Sequence, residues 1–266
     1  MNAEDEPYLR RDGDLFVPTN AARGGWNPNF LNGRVVVGLL GHAIDQRHGD
    51  PEYLPARLTV DMYRLPDLSP IEVKTRIVRD GFRIKVIDAD FLSGGVTTAR
   101  ATCQLLRRTE NPRGNVWTPP NWTVPEPAGI GPPQGRRSGA APVWEMRPII
   151  GAIGTVGSRR TWTSDIRDLV DGAPLTPFSR VALAADFASP YANAGDAGLG
   201  FINTDVTVYL HRLPLTKWIG FEVVNHGATD GIAIGECFLY DETGPIGSAS
   251  VAALAQKQTH QFGGAA

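Results

Sequence analysis

One carboxylate in this chain sits where a carboxylate is hard to solvate. Asp186 follows Ala182, Leu183, Ala184 and Ala185 and precedes Phe187, within a segment that reads as a helix. Apolar neighbours disfavour the charged form, which raises the pKa toward the range where a carboxylate serves as a general base for water. A helix carboxylate can equally turn outward or cap a loop, and structural networks perturb carboxylates too, so residue type leaves both readings open. Other chemistry is thin. His42 lies in an apolar helical segment and reads as a core histidine. Cys103 and Cys237 each lie in an alternating segment and read as buried free thiols. There is no Gly-x-Ser-x-Gly elbow, Walker loop, dinucleotide glycine pattern or His/Cys metal spacing. Serine hydrolases and metalloenzymes are therefore disfavoured, and neither a metal nor a cofactor is expected.

The elements that would position Asp186 occur twice. Arg64-Leu65-Pro66 returns as Arg212-Leu213-Pro214, 148 positions later, inside matching alternating segments. Phe91-Leu92 answers to Phe238-Leu239, and Arg34-Val35 to Arg180-Val181. Two copies are too few for a solenoid and predict two similar units packed as a pseudo-dimer. Each unit reads as an irregular lead, one helix and a run of strands. The first helix spans Arg34 to about Gln46 with Asn32 as its cap, and the second spans Pro177 to about Ser189. Strands are predicted over 58–63, 71–79, 82–92 and 97–107, then over 201–212, 218–226, 232–241 and 246–256. Both helices are apolar on most of their circumference, so each must be enclosed, and an antiparallel sheet can do that without crossover helices. Asn111 to Pro142 is rich in Pro and Gly and reads as a surface linker between units 1–110 and 143–266.

With 266 residues, 42% of them hydrophobic, the chain can bury a sizeable core. A net charge of -2 gives no footprint for nucleic acid. No apolar run approaches the roughly 20 residues that span a bilayer. The acidic start MNAEDEPYLRR is no secretory signal, so a cytoplasmic location is expected.

Taken in order, GGWNPNFLNGRVVVGLLGHAI, RLTVDMYRLPDLSPIEVKTRIVRDG, WEMRPI, LVDGAPLTPFSRVALAADFASP and NTDVTVYLHRLP resemble the double-hotdog acyl-CoA thioesterases related to acyl-CoA thioesterase II, especially their actinobacterial-type branch. The resemblance runs from about Trp26 to Gln256. It implies an α+β fold of two tandem hotdog units, each a central helix wrapped by an antiparallel sheet. It also implies hydrolysis of acyl-CoA to free acid and CoA by water in a tunnel between the units. In the family an Asp, a Thr or Ser and a Gln orient that water. Asp186 falls on the Asp. The hydroxyl position falls on Asn203, with Thr204 beside it, and the Gln position on Ala252, with Ser250 two residues earlier as its substitute on the same strand face. The implied catalytic set is Asp186, Asn203, Thr204 and Ser250. Asp186 maps onto Leu40 of the first helix, so one site is expected.

At the start of that helix, Asn32, Gly33 and Arg34 offer backbone N–H groups to a developing oxyanion, or form a plain N-cap with a close-packed glycine. Trp26, like Trp144 and Trp162, either lines the acyl path or packs. Arg107-Arg108, Arg136-Arg137 and Arg159-Arg160 either meet CoA phosphates or are simply solvated. Ala252 motivates a second reading as a catalytically weak acyl-CoA or lipid binding protein. A hotdog enoyl-CoA hydratase is a third, disfavoured because no clear Asp and His pair is present. Acyl-CoA is the expected partner, with a homodimer or homotetramer as the expected assembly.

Overall fold

The computed structural model describes residues 6–131 and 143–261; Arg136-Arg137 and the end of the expected linker lie outside them. The first half contains β1 (Leu9–Asp12), β2 (Leu15–Pro18), α1 (Gly33–His48), β3 (Tyr53–Met62), β4 (Ile71–Asp80), β5 (Ile84–Ser93) and β6 (Val96–Arg107). The second contains β7 (Trp144–Ile150), β8 (Arg160–Asp165), α2 (Pro177–Ala185), α3 (Ala188–Asn193), β9 (Ala194–Gly195), β10 (Gly198–Asn203), β11 (Asp205–Leu210), β12 (Ile219–Thr229), β13 (Ile232–Asp241) and β14 (Gly244–His260).

The main path of the sheet runs β1-β2-β4-β5-β6-β3-β11-β14-β13-β12-β8-β7, with β9 and β10 attached through β14. Read outward from its centre, the two sides are the same: four strands in the same relative order, then a hairpin. Their centre is the antiparallel pair β3 and β11, where Thr59 stands opposite Thr207 and the two hydroxyls are 3.2 Å apart. These residues are 148 positions apart, the spacing of the repeated Arg-Leu-Pro. A pseudo-twofold axis therefore passes through this pair, and the duplication read from the sequence is the symmetry of the sheet.

The helices lie under that axis. Every residue of α1 from Arg34 to Ile44 is buried, as its all-round apolar character requires. α1 and α2 run antiparallel, with Gly33 against Asp186, Gly38 against Leu183 and Gly41 against Ala182. A Cβ on Gly41 would stand 2.5 Å from the Ala182 Cβ, so glycine is what lets the two backbones meet.

Three expectations about elements need correction. The leads are not irregular: each holds a hairpin, β1 with β2 and β7 with β8. The first is only four residues per strand, too short for alternation to register. Second, the strand expected over 201–212 is interrupted at Thr204. Third, the second helix does not continue to Ser189. The described part of the linker also does more than cross the surface, since Trp122 stacks on Tyr240 with centroids 3.9 Å apart and meets Trp162 edge-on.

Candidate active site

The end of α2 is set by Pro190. A continuous helix would need the residue 190 N–H to bond the Asp186 carbonyl, and proline has none. The Ser189 N–H takes that carbonyl instead at 3.1 Å, and Phe187 N–H bonds the Ala184 carbonyl at 3.0 Å, both tight turns. The helix stops at Ala185, Asp186 becomes its C-cap, and α3 restarts at Ala188. This break points the Asp186 side chain at the first turn of α1.

There it meets Gly33, the first residue of α1. A Cβ on Gly33 would come within 2.8 and 2.9 Å of the two Asp186 carboxylate oxygens, so only glycine admits the carboxylate. The carboxylate thus sits at the N-terminus of α1, beside the Arg34 backbone N–H, at the end of a helix that attracts negative charge. Asn203 completes the group, donating from Nδ2 to Asp186 Oδ1 at 3.0 Å. Asp186 lies deep in the fold yet keeps partial surface access, as do Asn32, Gly33 and Asn203. Deep but wettable groups line a crevice. Burial raises the Asp186 pKa above the usual carboxylate value, while the Asn203 hydrogen bond, the Arg34 charge and the Arg34 N–H oppose it.

Asn203 faces inward because of a bulge. It lies opposite Ala253, and Thr207 lies opposite Ser250, so four steps on one strand match three on the other. The extra residue at Thr204 shifts the alternation by one. Asn203 therefore shares the inner face with buried Ala253, although Val206 and Val208 hold that face further along.

Other expected site residues fall elsewhere. Ser250 is not brought to the site: on β14 the buried positions are Ala249, Val251 and Ala253, which leaves Ser250 and Ala252 on the outer face. The Ser250 hydroxyl bonds Glu236 Oε1 at 3.4 Å. Ser250 and Ala252 do share a strand face, and it is the one turned away from Asp186 and Asn203. Thr204 spends its hydroxyl on the Ala252 carbonyl at 3.3 Å. Asn32 is an N-cap, its Oδ1 accepting from the Arg34 N–H at 3.2 Å. Trp26 is 38% exposed and lies 5.5 Å from the His260 ring, at the rim of the fold. His42 is buried and its pKa is lowered by that burial. Burial pushes the Cys103 thiol up to about 12 and Cys237 higher still, as expected for inert core thiols.

Sequence reasoning missed the groups beneath the crevice. The Arg34 side chain is buried and pairs through Nη2 with Asp165 Oδ1 at 3.1 Å, while the Tyr8 hydroxyl donates to the same oxygen at 3.3 Å. These partners are 131 and 157 positions apart, beyond any local pattern.

Residues 22–106 match the acyl-CoA thioesterase N-terminal domain family, and residues 115–253 match the acyl-CoA thioesterase C-terminal domain family. No curated protein matches the chain. Among solved structures, the tesB protein of Mycobacterium avium subs paratuberculosis aligns at 15% identity over 93% of this chain and 96% of its own, with a TM-score of 0.69. An acyl-CoA thioesterase II, TesB2, from Mycobacterium marinum aligns at 14% identity over 95% and 97%, with a TM-score of 0.65. A conserved protein of unknown function with hot dog fold from Alicyclobacillus acidocaldarius aligns at 16% identity over 97% and 99%, with a TM-score of 0.71. At these identities the structural matches show a shared fold, the double hotdog.

Proposed function

The chain belongs to the acyl-CoA thioesterase family and hydrolyses acyl-CoA thioesters, and from that premise we propose that Asp186 is the general base of the reaction. The observation that supports this is the convergence of Asp186, Asn203 and the first turn of α1 at one wettable, deeply placed carboxylate.

Asn203 occupies Oδ1 of the carboxylate and leaves Oδ2 for a water. The Asn203 amide oxygen can accept the other proton of that water, which fixes its lone pair toward the substrate. The water oxygen attacks the thioester carbonyl carbon as Asp186 takes its proton. The Gly33 N–H at the start of α1 receives the charge that develops on the carbonyl oxygen, since the Arg34 and Val35 N–H groups are taken by Asn32. The carbonyl then re-forms, the C–S bond breaks, and the proton held by Asp186 passes to the departing CoA thiolate. The products are the free acid and CoA, and Asp186 is ionised again. Thr204 supports the bulge that turns Asn203 inward and holds no water itself.

We further take 1–110 and 143–266 as the two hotdog units with 111–142 as their linker, a cytoplasmic location, a place in fatty acid metabolism, and a homodimer or homotetramer in solution. None of the described helices is long and apolar enough to cross a membrane. A single turnover in H₂¹⁸O tests the mechanism. A water attack puts ¹⁸O in the released acid and none in the protein, whereas label recovered on Asp186 means that the carboxylate is a nucleophile and that this reading is wrong.

A further inference from the structure

The Arg34 guanidinium is the least expected group in the core. It is 3% exposed, lies with Cζ 4.0 Å from the Trp144 ring centroid, and is bonded to Asp165 through Nη2 alone. Its Nε and Nη1 have no hydrogen-bond partner. Unpartnered N–H groups on a buried charge destabilise the fold, so the pair is poorly explained as a device for stability. Its position suggests another use. Arg34 directly follows Gly33, which abuts the Asp186 carboxylate, and the Trp144 ring that covers it packs edge-on against Phe187 at 4.8 Å. The guanidinium thus contacts Asp165 directly, and its charge acts on Asp186 from the first turn of α1.

We propose that Arg34 and Asp165 are positioning residues that set the base strength of Asp186: Arg34 holds the carboxylate ionised in its desolvated crevice, and Asp165 limits that pull so the base stays strong. This rests on Asp186 being the general base. The surrounding groups leave room for such control. Tyr8 on β1 donates to Asp165, and Arg180 on α2 acts on Asp165. Asp205 on β11 is turned toward the Ala252 N–H at 2.6 Å. Asn203 and Arg34 are the groups that act on Asp186 directly. Arg34 and Arg180 are also the repeated residues of the two helices; Arg34 pairs with Asp165, and the Arg180 charge acts on it more weakly.

The acid limb of kcat/KM on acyl-CoA reads the ionisation of the free enzyme's base. With Arg34→Gln the limb moves to higher pH by about one unit, and with Asp165→Asn it moves to lower pH. The double variant, which leaves no lone buried charge, falls between wild type and Arg34→Gln. Arg34→Lys keeps the charge and stays near wild type. If Arg34→Gln does not fold, the order Asp165→Asn, wild type, double variant still decides. A limb that stays in place, or moves the same way in both single variants, overturns the proposal. Asp186→Asn in the same series separates the two claims: if it retains full turnover, the general-base reading fails, and if it alone is inactive while the limb never moves, only the role of Arg34 and Asp165 fails.

Discussion

The two helix crossings under the pseudo-twofold axis have the same geometry and opposite contents. At one, the first turn of α1 begins with Gly33, whose bare Cα admits the Asp186 carboxylate. At the other, the first turn of α2 begins with Pro177, which has no N–H to offer, followed by the buried ring of Phe178. The nearby carboxylate, Asp45 of α1, is already engaged, accepting from the Thr176 hydroxyl at 2.5 Å. One helix terminus is open to a ligand and the other is closed by its own side chains. Duplication supplied the symmetric scaffold, and the two helix starts have diverged, to Gly33 at one and to Pro177 and Phe178 at the other, as the proposed single site requires.

The largest effect that could break this contrast is loss of the base. Asp186→Asn is expected to lower kcat by about a hundred- to ten-thousand-fold in a thiol-release assay. Next come the glycines. Gly33→Ala drives a methyl into the Asp186 carboxylate and is expected to cut turnover by at least about tenfold with little change in Tm. Gly41→Ala drives one into Ala182, far from the chemistry, and is expected to cost about 1–3 kcal/mol of stability by thermal unfolding, with kcat kept in the protein that remains folded. At the closed crossing, Thr176→Val removes a helix cap and the hydrogen bond to Asp45 and is expected to cost about 1–2 kcal/mol with turnover unchanged. Ser250→Ala, on the outer face, should alter neither.

Stability against pH sharpens the same point. Burial raises the Asp186 pKa in the folded protein, so its ionised form opposes folding above that pKa and this penalty fades as pH falls through the folded and then the unfolded value. Asp186→Asn is therefore expected to melt at a slightly higher temperature than wild type near neutral pH, with the two converging in acid. Differential scanning calorimetry across that range checks it.

Much of this was legible in the sequence. The repeat carried the symmetry, the apolar helices demanded enclosure, and Asp186 among alanines stood out as a poorly solvated carboxylate that the family resemblance then marked as the candidate base. Asn203 followed from the family resemblance, as the residue at the family's hydroxyl position. What stayed hidden has physical causes. Pro190 ends α2 at Asp186 through a missing donor four residues away, a signal that was present in the sequence and went unused. The Thr204 bulge reverses the alternation from which strand faces are read, so Asn203 turns inward, against the parity of its neighbours Asp205 and Thr207. Ser250 could be paired with Ala252 by parity, but parity does not say which face is the inner one. Asp165 and Tyr8 meet Arg34 only through folding of distant segments.

The central claim is that one crossing carries the chemistry and its twin does not. The direct measurement is steady-state thiol release from acyl-CoA by Asp186→Asn and Asp45→Asn, each shown to be folded by circular dichroism. The account predicts that kcat collapses in the first and stays within about twofold of wild type in the second, since Asp45 contributes only a hydrogen bond of about 1 kcal/mol to a helix cap. Equal losses in the two variants, or loss in Asp45→Asn alone, would contradict it.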